Sequence, residues 1–407
     1  MDNFLFLPHR LPYPPNKGEK VHAYELLKYL KSRGRVFMGT FVDDPHDEQY
    51  VETVRGMCDG LFVQRIDPRS SKIKSLAGLL TGEALSVRYY HNPAMQDWVR
   101  RTVREQGIGT AVVFSAAPTR FVMQEPDLRV LVDFSDLDSA KWTAYADEHA
   151  WPLSWLYRRE ARLLFEFERA AAERSEAAFF VTDAEVESFR SLAPDSPARV
   201  ETMSCGVDFE YFSPEKAGAS PFRDDETPIV FTGVMDYLPN VDAVTWFVRD
   251  MLPRLRELRP SVRFYIVGMR PAPVVQALAA DDVVVTGRVP DVRPYLANAA
   301  VVVAPLRVAR GVQTKVLDAM AMARPVVVAQ SCAGGIDAEP GVHIEVAADG
   351  PAFVARIEAL LQDPARAAAI GLAARQRVMA RYSWNAHLQR LGRYLQPDMP
   401  AVAGGVS

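Results

Sequence analysis

AAVVVAPLRVARGVQTKVLDAMAMARPVVVA, residues 299–329, decides how this chain folds. Two short apolar runs, AVVVAP (300–305) and PVVVA (325–329), bracket a loop, RVARGVQT (307–314), and a stretch of helical periodicity that begins near Thr314 or Lys315. The unit reads strand, loop, helix, strand. Lys315 then stands in the first turn of an apolar helix, facing the positive end of the helix dipole, which costs roughly 0.3–1 kcal/mol. An anion in front of the helix removes that cost, and the unpaired N–H groups of a helix start are ready to receive one. Gly311 lets backbone approach closely, and Arg310 and Lys315 add positive charge. Asp318, three residues on and one turn deeper on the same face, can accept from hydroxyls such as those of a ribose. Together these residues describe a nucleoside diphosphate site. The alternative is a plain surface Lys315–Asp318 pair worth a few tenths of a kcal/mol.

The same alternation runs outward in both directions. The first half carries FLFLP (4–8), VFMGTF (36–41), LFVQRI (61–66), TAVVF (110–114), RVLVDF (129–134) and AAFFV (177–181). The second half carries PIVFTG (228–233), RFYIVG (263–268), VVVTG (283–287), AVVVAP, PVVVA and HIEV (343–346). Helical stretches separate these runs, including a long one over 152–175 and an amphipathic one over 382–395. The pattern is that of α/β layers with parallel sheets. SPEKAGASPFRDDETP (213–228) is rich in Pro, Gly, Ser and charge and reads as a linker. The expected architecture is two Rossmann-like doubly wound parallel-sheet domains facing across a cleft: residues 1–212, a linker 213–228, a second domain 229–381, and a C-terminal helix and tail 382–407 that crosses back to the first. Ligands then bind at strand C-termini. Gly233, Gly268 and Gly287 end three strands of the second domain, and Arg270 and Arg288 lie beside two of them, which strengthens the anion-site reading.

Bulk properties set the class. The chain has 407 residues, 49% hydrophobic and 24% charged, with a formal net charge of −4. No basic field recruits nucleic acid. Cys58, Cys205 and Cys332 lie far apart and form no CxxC pair, which argues against a disulfide framework and a zinc site and fits a reducing cytosol. Prolines break MDNFLFLPHRLPYPP after a few apolar residues, so it reads as a buried first strand and not as a signal peptide. No apolar run reaches bilayer-spanning length.

GRVPDVRPYLANAAVVVAPLRVARGVQTKVLDAMAMARPVVVA (287–329) resembles the donor-binding domain of retaining GT-B glycosyltransferases of family 4. MSCGVDFEYFSP (203–214) is similar to that family's segment at the domain junction. LPHRLPYPPNKGEKVHAYELLKYL, VDFSDLDSAKW and WPLSWLYRREARLLFEFE resemble one branch, the sugar transferases of bacterial exopolysaccharide loci of the exosortase/PEP-CTERM type. The resemblance implies transfer of a sugar from a nucleotide diphosphate sugar to a glycan or lipid-linked acceptor, with retention, no cofactor and no metal. It implies that Lys315 contacts the donor diphosphate, with Gly18, Gly233, Arg270, Arg310 and Gly311 around it. Asp318 takes the ribose place of the second glutamate of the family's E-x7-E motif, and the backbone at Gly287 and Arg288 holds the base.

The chain also departs from the family pattern. Arg310 replaces the first glutamate of E-x7-E, and Asp318 is one methylene shorter than the second. TGVMDYLPNVDAV (232–244) supplies neither the arginine nor the lysine usual in that loop, and Cys205 stands where an asparagine is usual. The family's N-domain histidine position falls in VDFSDLDS, which offers Asp133, Asp136 and Asp138. Asp136 is expected to contact a sugar, Asp133 reads equally as a strand-end residue, and Asp138 as a helix N-cap. His9, after the first strand, is a further catalytic candidate; His9 and His22 also read as structural or solvated, and Gly18 as an ordinary turn.

With retention, departure of the diphosphate on the acceptor's side lets its own oxygens take the incoming hydroxyl's proton, and preorganised amides and cations stabilise that departure. Rival readings are a nucleotide-sugar epimerase or hydrolase on the same fold, and a non-catalytic nucleotide-binding degenerate transferase. A dinucleotide-dependent oxidoreductase lacks its G-x-G-x-x-G. RSSKIKSLAGLLTGEALSVRYY (69–90) mixes basic and apolar residues. It reads either as a contact with an anionic membrane or as a helix packed on the first domain. The expected location is cytoplasmic, at the inner face of the membrane if that contact forms.

Overall fold

A computed structural model describes residues 2–15, 18–309 and 312–395. Arg310 and Gly311, two of the expected donor-site residues, lie outside the described residues. The chain divides into two compact units, residues 1–204 with 385–407, and residues 205–384.

The N-terminal unit is built on a seven-stranded, all-parallel sheet: β1 (Asp2–Pro8), β2 (Gly34–Val42), β3 (Gly60–Arg65), β4 (Thr110–Phe114), β5 (Arg129–Ser135), β6 (Ala177–Phe180) and β7 (Val200–Thr202), in the order β3-β2-β1-β4-β5-β6-β7. Six of these strands are the six apolar runs of the sequence. β7 was not expected: it is only VET, at the sheet's edge, where a single buried face leaves no continuous apolar signal. Helices that matter below are α1 (Gly18–Lys31), α2 (Pro68–Ser75), α3 (Gly78–Thr81), α4 (Leu85–Tyr89), α5 (Asp138–Glu148), α6 (Leu153–Arg174) and α7 (Asp183–Leu192). The segment 69–90 is three short helices, the second of which ends at Gly82, left-handed at φ 73°.

The C-terminal unit carries β8 (Thr227–Thr232), β9 (Val262–Val267), β10 (Val283–Gly287), β11 (Val301–Ala304), β12 (Val326–Ala329) and β13 (Glu345–Ala347), all parallel, in the order β10-β9-β8-β11-β12-β13. α8 (Leu238–Trp246) follows β8, and α9 (Thr314–Ala321) joins β11 to β12. β11 and β12 are buried on both faces throughout, as helix-covered central strands require. Each unit closes its own core, the first around Leu5, Val113, Val132 and Phe180, the second around Phe231, Ile266, Val303, Leu317 and Val327.

α10 (Trp384–Leu395) belongs, from Asn385 on, to the N-terminal unit. Tyr394 stacks edge-on against Phe179 at 5.8 Å and donates its hydroxyl to Glu201, while Arg129 donates to the Tyr394 carbonyl at 2.6 Å. Gly392 allows this seating: a Cβ there would meet the Tyr29 hydroxyl at 2.2 Å.

No described helix is long and apolar enough to cross a membrane.

Candidate functional site

Both sheets reverse winding direction once, between β1 and β4 in the first and between β8 and β11 in the second. At such a reversal the following helices diverge to opposite faces and leave a crevice beyond the strand C-termini. The described residues expected at a ligand lie at strand ends, or in the loops and helix starts that follow strands of the two sheets.

In the C-terminal unit, Lys315 spans the reversal. It stands in the first turn of α9, after β11, and donates through Nζ to Oδ1 of Asn240 at 2.5 Å, on α8 after β8. The same ammonium sits 5.0 Å from the ring centroid of Phe231, at the end of β8. Asn240 is buried and fixed in turn, since its Nδ2 donates to the Val234 carbonyl at 2.9 Å. Gly233 makes room for that amide: a Cβ there would lie 2.7 Å from Asn240 Nδ2. Gly268 is needed for the neighbouring loop, where an added Cβ would lie 1.6 Å from the Gly233 carbonyl oxygen.

Burial dominates the electrostatics of Lys315 and Asp318. Lys315 is half-buried, and burial pulls its ammonium from 10.5 down to about 8, against the pull of Cys332 and Asp318. Asp318 is pushed up from 3.8 to about 8 by burial, with Lys315 only partly offsetting. Among the described residues no side chain caps the start of α9; the Val316 N–H is taken by the Gln313 carbonyl at 2.9 Å, so the N–H groups of Thr314 and Lys315 are the ones with capacity for an acceptor. Among the described residues Nζ of Lys315 has one hydrogen bond and could donate two more. An ammonium, open amides and a neutral carboxyl within one helical turn can together receive a phosphate and a hydroxyl-bearing group.

The other expected residues on this edge are less concentrated. Gly287 ends β10 in the left-handed conformation, φ 66°, with open space where a Cβ would be. Arg288 beside it is exposed, its guanidinium 4.0 Å from the Met269 sulfur. Arg270 also adopts a left-handed backbone, φ 54°, but its guanidinium is engaged by Asp236 at 2.9 Å. Any anion therefore has to compete with Asp236 for Arg270. Arg307 is likewise committed, to Asp242. Asn240 was missed by sequence reasoning, which searched TGVMDYLPNVDAV for cations only. The available signal was an amide at the start of the helix after the first strand of the reversal.

In the N-terminal unit, His9 follows β1 and stacks at 5.8 Å on Phe114, the last residue of β4, so it too lies across the reversal. Its Nε2 is 3.4 Å from Glu19 Oε2, and its Nδ1 is buried with no partner among the described residues. Glu19, in the first turn of α1, also accepts from Arg10 at 2.7 Å, and Arg10 reaches Asp43 at 2.8 Å. Burial alone would raise Glu19, yet His9 and Arg10 hold it well below the carboxylate range. Gly18 is the exposed first residue of α1.

His22 and Asp133 face each other 2.9 Å apart with both side chains buried, and Asp133 also accepts from the Ser135 N–H at 2.9 Å. That pair ties α1 to β5. Asp136 is half-buried, and it shares Lys141 with Asp138, at 2.7 and 2.8 Å. Burial alone would lower Lys141, but Asp138 and Asp136 hold it above the ordinary lysine range. Asp138 opens α5 as its first residue and is not the N-cap, a position taken by Leu137; its carboxylate is drawn to Lys141 instead of back to the helix amides. A lysine thus already occupies the space a cation would take between these aspartates. Among the described residues no cluster of three or more His, Cys, Asp or Glu is arranged to hold a metal. Behind them, burial pushes Glu168 up to about 8 and Glu185, beside Asp136, up to about 7.

Residues 226–363 match the model of the family described as glycosyl transferases group 1. No curated protein sequence matches. Among solved structures the fold is similar to sucrose-phosphate synthase from Thermosynechococcus elongatus, at 17% identity and TM-score 0.69 over 97% of this chain and 98% of that one. It is similar to HepE of Anabaena in complex with UDP, at 14% identity and TM-score 0.66 over 97% and 99%, a protein also solved with UDP-glucose. WaaG, a glycosyltransferase involved in lipopolysaccharide biosynthesis, aligns at 16% identity and TM-score 0.66 over 97% and 100%. The chain has the two-sheet GT-B glycosyltransferase fold, and its C-terminal unit matches the group 1 glycosyl transferases.

Proposed function

We propose that this protein is a retaining, metal-independent glycosyltransferase that moves a sugar from a nucleoside diphosphate sugar to a glycan or lipid-linked acceptor in the assembly of cell-surface polysaccharide. The observation that carries the reading is Lys315: a half-buried ammonium, its pKa lowered by desolvation, in the first turn of a helix on the winding reversal of the sheet. A diphosphate there restores the charge that burial penalises. Likeness in fold to a protein solved with UDP and with UDP-glucose supports a uridine donor.

In this reading Lys315 and the first-turn amides of α9 bind the diphosphate and stabilise it as it departs. Asp318 accepts from the ribose hydroxyls, and the chain around Gly287 and Arg288 holds the base. A phosphate oxygen of the departing group takes the acceptor hydroxyl's proton, so no second carboxylate is needed for a covalent intermediate. The N-terminal unit serves the acceptor and the transferred sugar, through His9, poised by Glu19, and through Asp136, oriented by Lys141. Residues 69–90 contact an anionic membrane, since Lys72 and Lys74 are exposed beside exposed Ile73 and Leu80. The protein then works in the cytoplasm at the inner membrane face.

The test is a thermal-shift screen of the purified protein across nucleotide sugars, followed by transfer assays with the best donor. A uridine diphosphate sugar should stabilise the wild type and not Lys315→Ala, and Lys315→Ala should lose transfer. Equal stabilisation of both proteins refutes the donor site. Donor turnover without any acceptor would replace transfer by hydrolysis or epimerisation.

A further inference from the structure

The N-terminal unit exposes large apolar side chains in two stretches that its own folding sets side by side. On α2 and α3, Ile73 is 70% and Leu80 91% exposed, with Leu76 exposed between them. Helical bonds run on from α2 into α3, from Leu76 N–H to the Ile73 carbonyl and from Leu80 N–H to that of Ala77. The spacing i, i+3, i+7 therefore puts these three on one face. At the tip between α5 and α6, Trp151 is 80% and Trp155 55% exposed, with Leu153 beside them.

Polar bonds join the two stretches. Arg159 of α6 donates to the carbonyls of Gly78 at 2.5 Å and Glu83 at 3.3 Å. Glu160 accepts from the N–H groups of Leu85 at 2.7 Å and Ser86 at 2.8 Å. Trp155 stands one turn before Arg159, on the same side of α6. Exposed apolar surface of this kind marks an interaction site. The charges around it decide what kind: Arg69, Lys72 and Lys74 are all exposed, and no acidic residue occurs between Asp67 and Glu83. Asp67 itself is spent as the cap of α2, on the N–H groups of Arg69 and Ser70. Asp147 and Glu148 end α5 just before the tip, so the cationic half of the face is the α2–α3 half.

We propose that this two-part face docks on an anionic lipid bilayer, with Trp151 and Trp155 as its interfacial anchors. The inference rests on the membrane reading of residues 69–90 and adds to it an aromatic half from a different part of the chain. Indole rings favour the headgroup level, where an apolar body and a polar N–H are both accommodated. The α2–α3 leucines and isoleucine enter alongside, and each cation near an anionic surface strengthens binding roughly fivefold.

The experiment uses the full chain with vesicles of phosphatidylcholine alone or mixed with phosphatidylglycerol, some carrying brominated acyl chains. The wild type should cosediment with the phosphatidylglycerol vesicles, and the brominated lipid should quench its tryptophan emission. Trp151→Phe with Trp155→Phe should keep most of the binding and lose most of the quenching, because the other four tryptophans are half-buried or buried. Trp151→Ser with Trp155→Ser should weaken partitioning roughly tenfold or more, and Lys72→Glu with Lys74→Glu should do the same. All of these variants should keep the wild-type unfolding midpoint, since the sites are exposed. If the serine variant binds like wild type while the glutamate variant does not, the aromatic anchors are wrong and the reading of 69–90 stands. If the wild type does not bind, both fall. A dimer in light scattering that the serine variant dissolves assigns the face to a second copy and overturns the proposal.

Discussion

Replacing Lys315 with methionine separates what the residue costs the fold from what it gives the ligand. Its ammonium drops from 10.5 to about 8 on folding, which at 1.36 kcal/mol per pH unit amounts to roughly 3 kcal/mol carried by the empty protein at neutral pH. The bond to Asn240 and the Phe231 ring return part of that, about 1–2 kcal/mol together. Methionine fills a similar volume without the desolvation cost, and Asp318, held neutral by its own burial, leaves no stranded charge. The variant should therefore be more stable than wild type by roughly 1 kcal/mol at pH 7 in urea unfolding. The gain has a defined pH range. A lysine whose folded value lies below its unfolded one destabilises fully below about 8, and the penalty fades between about 8 and 10.5. The advantage of methionine should shrink as pH rises through that window. Ligand binding should move the other way, because losing a buried charge that faces a diphosphate costs about 2–3 kcal/mol, or roughly a hundredfold in Kd. UDP at a hundred times the wild-type Kd should stabilise wild type by about 2.7 kcal/mol and the variant by only about 0.4. A variant less stable than wild type, still stabilised fully by UDP, would refute the account of Lys315.

Two further outcomes follow from the same edge. Asp318→Asn copies the neutral carboxyl: wild type, with its folded value raised to about 8 from 3.8, binds more protons folded than unfolded between those values and loses stability as pH rises through them. The asparagine variant should lack that slope and gain about 2 kcal/mol or more over wild type by pH 8 in urea unfolding. Asn240→Ala should weaken UDP binding roughly tenfold by calorimetry, because the Lys315 ammonium is then no longer held across the winding reversal; an unchanged Kd would mean that Asn240 does not orient it.

The fold was legible because its central strands are buried on both faces and so appear as unbroken Val, Ile and Phe runs between helical stretches. VVVA at 301–304 and again at 326–329 shows the principle most plainly. β7 escaped for the opposite reason, as a three-residue edge strand. The start of α9 at Thr314 was legible too, since the apolar periodicity begins there. Partner choice was not. Nothing in the sequence says that Arg270 spends its charge on Asp236, that Lys141 gathers Asp136 and Asp138, or that His22 turns inward to Asp133. These pairings join residues whose separation in the chain is unrelated to their separation in space, so only the fold reveals them.

Asn240 is the instructive omission, because it changes how the missing cations are understood. A loop that lacks the arginine and lysine usual in the resembling family leaves Lys315 as the one described cation seen reaching into the reversal of the second sheet. A lone flexible ammonium on four methylenes loses side-chain entropy whenever it is held to one position, about 2 kcal/mol for a lysine. Asn240 is buried, is clamped by the Val234 carbonyl and is accommodated only because residue 233 is glycine. It therefore holds the ammonium before any ligand arrives, and that part of the entropy is lost on folding instead of on binding. In the proposed donor site, preorganisation of one charge replaces multiplicity of charges, and exchanging Gly233, Asn240 or Lys315 singly should weaken donor binding.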